Sequence, residues 1–78
     1  MNTVFDYSKL NGRITEKFGS QRAFAKVYGI SENAMSRKLK GKMAITKEDI
    51  LKMSAPEFLD IEPKDYHEYF FAMKVQAN

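Results

Sequence analysis

Residues 20–42 read SQRAFAKVYGISENAMSRKLKGK, and two short helices can be parsed from them. Ser20 is a good N-cap for a helix over residues 21–28, because its hydroxyl can accept from a free N–H of the first turn. Phe24, Ala25 and Tyr28 lie on one face of that helix. Gly29 stops it, since glycine takes the left-handed conformation at little cost. Ser31 caps a next helix over residues 32–40, with Met35 and Leu39 as an i,i+4 apolar pair and Gly41 as its end. The small Ala25 stands where a second helix has to cross closely. A bracing helix, a tight turn and a polar following helix specify a helix-turn-helix.

Outward from this stretch the same local signals continue. Asp6 can cap a first helix over residues 7–18, where Leu10, Ile14 and Phe18 form a stripe and Gly19 provides the stop. Thr46-Lys47-Glu48-Asp49 is a capping-box pattern with Asp in the Glu position, and Ile45 and Ile50 suit a hydrophobic staple. Pro56 should end this fourth helix near Ser54 or Ala55 and open a short turn carrying Phe58 and Leu59. Pro63 can start a last helix through about Phe71. Tyr69, Phe71, Met73 and Val75 alternate, so the C-terminal end reads equally as helix or as strand. The fold expected is all-α, a bundle of about five short helices with the helix-turn-helix on the second and third, its C-terminal end extended if the alternation wins.

Composition narrows the function. Seventy-eight residues fit a single domain, taken as residues 1–78. Cysteine is absent and His67 is the one histidine, so no disulfide, thiolate or imidazole metal site is expected, and no cofactor. No nucleophile–base pair or glycine-rich phosphate loop stands out, and an enzyme is not expected. There is no apolar run long enough for a membrane span and no leader-like start, so a cytoplasmic protein is expected. Charge is unevenly spread. Residues 9–52 hold eleven Lys or Arg against four Asp or Glu, a net +7, whereas residues 53–78 carry −3. A basic first two-thirds suits a polyanion.

On a helical wheel with Met35 and Leu39 inward, Asn33, Arg37 and Lys40 fall outward and Ser36 flanks them. An amide, a guanidinium and a hydroxyl match base edges: Arg grips guanine bidentately, Asn pairs with adenine, and Glu32 can accept from cytosine. Base contact is therefore assigned to Glu32, Asn33, Ser36 and Arg37. Backbone contact is assigned to Gln21, Arg22, Ser31, Lys38, Lys40 and Lys42, where cations and free helix N–H groups suit phosphate. The competing reading of each residue is an ordinary solvated helix face.

These residues resemble the lambda-repressor-like, Cro-type helix-turn-helix family of short phage and prophage regulators of Gram-positive bacteria. Gln21, Ala25, Gly29, Ser31 and Met35 match positions of the family's twenty-residue motif. The bounding pieces FDYSKLNGRITEKFGS and IEPKDYHEYFF are similar to one small subfamily. The resemblance implies transcriptional regulation by binding double-stranded operator DNA, usually as a dimer on a pseudo-palindrome. One departure is Lys38, which stands at a usually apolar motif position with Leu39 next to it. It leaves open whether Arg37 or Lys38 enters the groove.

Aromatic and aliphatic residues crowd the end of the chain. Two readings stay open: a self-contained cap on the core, or a homodimer through residues 58–75 with Tyr69, Phe70, Phe71 and Met73 at its interface and strand pairing over 69–75. The alternative function on the same fold is a protein-interaction module, such as an antitoxin or antirepressor.

Overall fold

A computed structural model describes residues 2–76. In chain order it contains strand β1 (Asn2–Phe5), helices α1 (Ser8–Phe18), α2 (Gln21–Tyr28), α3 (Glu32–Leu39) and α4 (Lys47–Ser54), a 3-10 turn (Pro63–Asp65), helix α5 (Tyr66–Phe70) and strand β2 (Met73–Gln76). The five-helix bundle stands as expected. Two short terminal strands are added to it, pairing antiparallel with Asn2 opposite Gln76 and Phe5 opposite Met73.

Local caps set most helix limits. The Ser20 hydroxyl accepts from the Ala23 N–H at 3.1 Å and the Ser31 hydroxyl from the Ala34 N–H at 3.0 Å. Between them Gly29, at φ 100°, turns the chain and donates to the Ala25 carbonyl. The box at α4 is complete: Thr46 Oγ1 accepts from Asp49 N–H, and the Asp49 carboxylate accepts from Thr46 N–H. Two limits differ from the sequence reading. Helix α1 starts at Ser8, because Asp6 accepts from the Ser8 N–H at 2.9 Å while Tyr7 turns into the core. Helix α3 ends at Leu39, with Lys40 as its cap.

One apolar cluster joins the elements. Leu10 and Ile14 of α1, Phe24 of α2, Met35 of α3, Met53 of α4 and Leu59 are fully buried. Burying each large side chain contributes roughly 1.5–3 kcal/mol relative to exposure. The Phe24 ring lies 5.0 Å from Phe18, 5.5 Å from Tyr28 and 6.2 Å from Phe58, so one aromatic group bridges α1, α2 and the segment after α4. Arg13 fastens that segment: Nε donates to the Leu59 carbonyl at 2.9 Å and Nη2 to the Asp60 carbonyl at 3.1 Å. These bonds hold Asp60 at φ 52°, a left-handed conformation that costs a non-glycine residue about 1 kcal/mol or more.

The C-terminal end combines both sequence readings. The 3-10 turn and α5 occupy 63–70, then β2 runs beside β1, and Asp6 N–H donates to the Ala72 carbonyl at 2.7 Å. The strand expected to pair between subunits over 69–75 thus begins later and has its partner within the same chain. A tethered strand sits at far higher effective concentration than a free one. The side chain of Val75, the last of the alternation, lies outside the described residues.

Candidate nucleic-acid interface

Helix α3 presents its polar side as the wheel requires. Glu32, Asn33 and Arg37 are exposed, Ser36 is half-buried beside them, and Lys40 and Lys42 are exposed just past the helix. The inward side is Met35 and Leu39, 0% and 5% exposed. Glycine 41, at φ 78°, bends the chain back, and the Arg37 carbonyl accepts from the N–H groups of Lys42 and Met43. This fold-back keeps Lys42 close to the end of α3.

Internal contacts sort the cations of residues 9–52 into two groups. Lys9 pairs with Glu68 at 2.6 Å, Arg13 with Glu16 at 3.0 Å, and Lys38 with Asp49 at 2.7 Å. Lys52 donates to the Tyr28 carbonyl at 2.7 Å, a cation at the negative end of α2. Arg22, Arg37, Lys40 and Lys42 pair with no carboxylate among the described residues. Lys17, Lys26 and Lys47 likewise pair with no carboxylate among the described residues, so four of these seven cations lie at the start of α2 and along and just past α3.

Lys38 corrects the sequence reading. Its side chain is only 11% exposed, and its ammonium donates to Asp49 and, at 3.0 Å, to the Ala44 carbonyl. It is not presented to a phosphate. Of the two neighbours, Arg37 is the exposed one. The reason is electrostatic: a lysine at a position that packs inward needs a carboxylate and a carbonyl there.

Asp49 is the hub of this clamp. Its carboxylate accepts from Lys38, from the Tyr28 hydroxyl, and from the N–H and hydroxyl of Thr46. It thereby joins α2, α3 and the start of α4. Burial alone would raise its pKa, but the bonds from Lys38, Tyr28 and the Thr46 backbone prevail and hold it at about 2, below its ordinary 3.8. Burial, then the bond to Asp49, pushes the Tyr28 hydroxyl well above its usual value. A carboxyl depressed in the folded state contributes stability above its unfolded pKa and loses it as pH falls through the folded one. Between pH 4 and pH 2 the protein should thus lose about 2 kcal/mol through this group. Chemical-denaturation midpoints across that window check this, and Asp49→Asn should remove that part of the slope.

The remaining assigned residues divide. Gln21 is half-buried, and its Nε2 donates to Asn11 Oδ1 at 3.0 Å, so α1 orients its amide. Arg22 is exposed, and Ser31 is exposed with its hydroxyl engaged in capping. Of the expected interface, Phe70 is 2% exposed and belongs to the core, which is a correction: in a five-residue helix one ring must face inward, and this one does. Tyr69 is half-buried, with the Lys9 ammonium 5.1 Å above its ring. Phe71 and Met73 are exposed, at 43% and 62%, and Phe5 joins them, its ring 6.5 Å from that of Phe71. Phe5 and the Asn11 buttress escaped the sequence reading, since nothing nearby in the chain marks either.

No helix among the described residues is long and apolar enough to cross a membrane. A family model described as "Protein of unknown function (DUF739)" matches residues 3–73. No curated protein was found to match the chain. Among solved structures, the chain is similar to the solution structure of the modulator of repression (MOR) of the temperate bacteriophage TP901-1 from Lactococcus lactis. The two share 43% identity over 86% of this chain and 88% of that chain, with a TM-score of 0.75.

Proposed function

We propose that this chain, which belongs to the DUF739 family, is a small regulator of phage repression that works by binding rather than catalysis, as one helix-turn-helix unit over residues 1–78. The finer reading is that α3 enters the major groove of double-stranded DNA in the manner of Cro-type proteins. Asn33 and Arg37, with Glu32 and Ser36, read bases, while Gln21, Arg22, Ser31, Lys40 and Lys42 hold phosphates. The observation that carries it is the outward, unpaired Arg37 beside Asn33, with Lys40 and Lys42 following. The relative's description as a modulator of repression supports the biological setting, a bacterial cytoplasm. Two copies on one operator are part of the proposal, with Phe5, Phe71 and Met73 as the surface between them.

Selection of bound duplexes from a random pool tests it. The expected result is a two-fold symmetric consensus. Arg37→Ala should then weaken binding to that site by about 1–3 kcal/mol and leave random-duplex binding little changed. Affinity should fall steeply with salt. Equal losses on both duplexes would remove the base-reading role.

A second reading rests on the same relative and on the exposed Phe5, Phe71 and Met73: an interaction module that modulates another protein. Absence of any duplex shift at low salt, with stoichiometric capture of a protein, would favour it.

A further inference from the structure

A cleft of about 480 Å³ lies between α2 and the start of α3. Ala23, the buried Ala25 and Ile30 line it with apolar surface, Arg22 and Lys26 flank it one turn apart, and Glu32 closes one end. Val27, exposed at 54%, stands one turn beyond Ala23 on α2, and Ile30 lies past the turn at Gly29. Arg22 and Lys26 have no carboxylate partner among the described residues.

We infer that this cleft receives an acidic amphipathic segment of a partner protein: an apolar side chain seated between Ala23 and Ile30, carboxylates facing Arg22 and Lys26, and a hydrogen-bond donor facing Glu32. Charge complementarity selects the occupant. A phosphate ridge needs donors along its contact, and Ala23, Ala25 and Ile30 offer none, so a duplex on Arg22 and Glu32 leaves the apolar part of the cleft unused. An amphipathic helix presents an apolar side chain with acids one turn to either side of it, which suits Ala23 and Ile30 flanked by Arg22 and Lys26. The Glu32 carboxylate repels acids at its own end and so fixes the direction in which the segment lies. This surface shares Arg22 and Glu32 with the proposed DNA contacts, while Ala23, Lys26 and Ile30 lie outside them.

The test uses the whole ¹⁵N-labelled chain and a synthetic peptide of about twelve residues, roughly three helical turns, with leucine at every third or fourth position and glutamate between. Saturable amide shifts at Ala23, Lys26, Val27 and Ile30 are expected. Lys26→Glu, at an exposed position outside the proposed DNA contacts, should weaken the peptide about fivefold and change duplex affinity by less than about twofold. Four results would overturn the inference: no saturable shift; equal binding of a peptide with lysine in place of glutamate; the same amides shifting with a random duplex at equal salt; or the same amides shifting on simple dilution of the protein, which marks a second copy. Failure of duplex selection removes only the duplex-affinity comparison and leaves the peptide arms of this test intact.

Discussion

Asp49→Ala is expected to lower stability by about 3 kcal/mol, a larger cost than an exposed ion pair can account for. Three losses combine. The N-terminus of α4 loses its box, the Tyr28 hydroxyl loses its acceptor, and the Lys38 ammonium keeps only the Ala44 carbonyl while remaining largely buried. An unpaired buried charge is the most costly of these. Asp49→Ala combined with Lys38→Met should therefore be more stable than Asp49→Ala alone, because the methionine removes the orphaned charge and keeps the packing volume. Urea midpoints for the four proteins of this cycle give the answer. A double variant weaker than Asp49→Ala alone would mean that the clamp's charge is not its main cost.

Phe24→Ala should abolish the folded state at room temperature. Phe24 is fully buried and its ring meets those of Phe18, Tyr28 and Phe58. Truncating such a ring costs about 3–5 kcal/mol, comparable with what a single core supplies to a domain of this size. Loss of a cooperative thermal transition and collapse of amide dispersion are the expected signs. A melting temperature lowered by less than about 10 °C would show that the neighbouring rings close over the gap.

Where the signals were local, the sequence was readable. Ser20, Gly29, Ser31 and the Thr46–Asp49 pair act within one turn of themselves, and the helix limits they mark are those observed. Met35 and Leu39 defined an inward side, and the opposite side is outward. What escaped depends on contacts between distant parts of the chain. Lys38 faces inward because of Asp49, eleven residues away. Its presence at an apolar motif position was the one available sign. Strand β1 exists only beside β2, at the far end of the chain, and four residues carry too little alternation to announce it alone. Phe70 and Phe71 could not be told apart because α5 is too short to draw a stripe. Asp49 was legible as a cap and not as a junction of three helices.

Arg37 and Lys38 are adjacent in sequence and opposite in circumstance. One is exposed with no side-chain partner among the described residues, and the other is fastened to Asp49. Residues at 33 and 37 are thus free to diversify, because exchanging them breaks no hydrogen bond or ion pair that the folded chain relies on. Under the proposed base-reading role, substitution at those two sites alone would change the target, while a change at 38 would need a compensating change at 49.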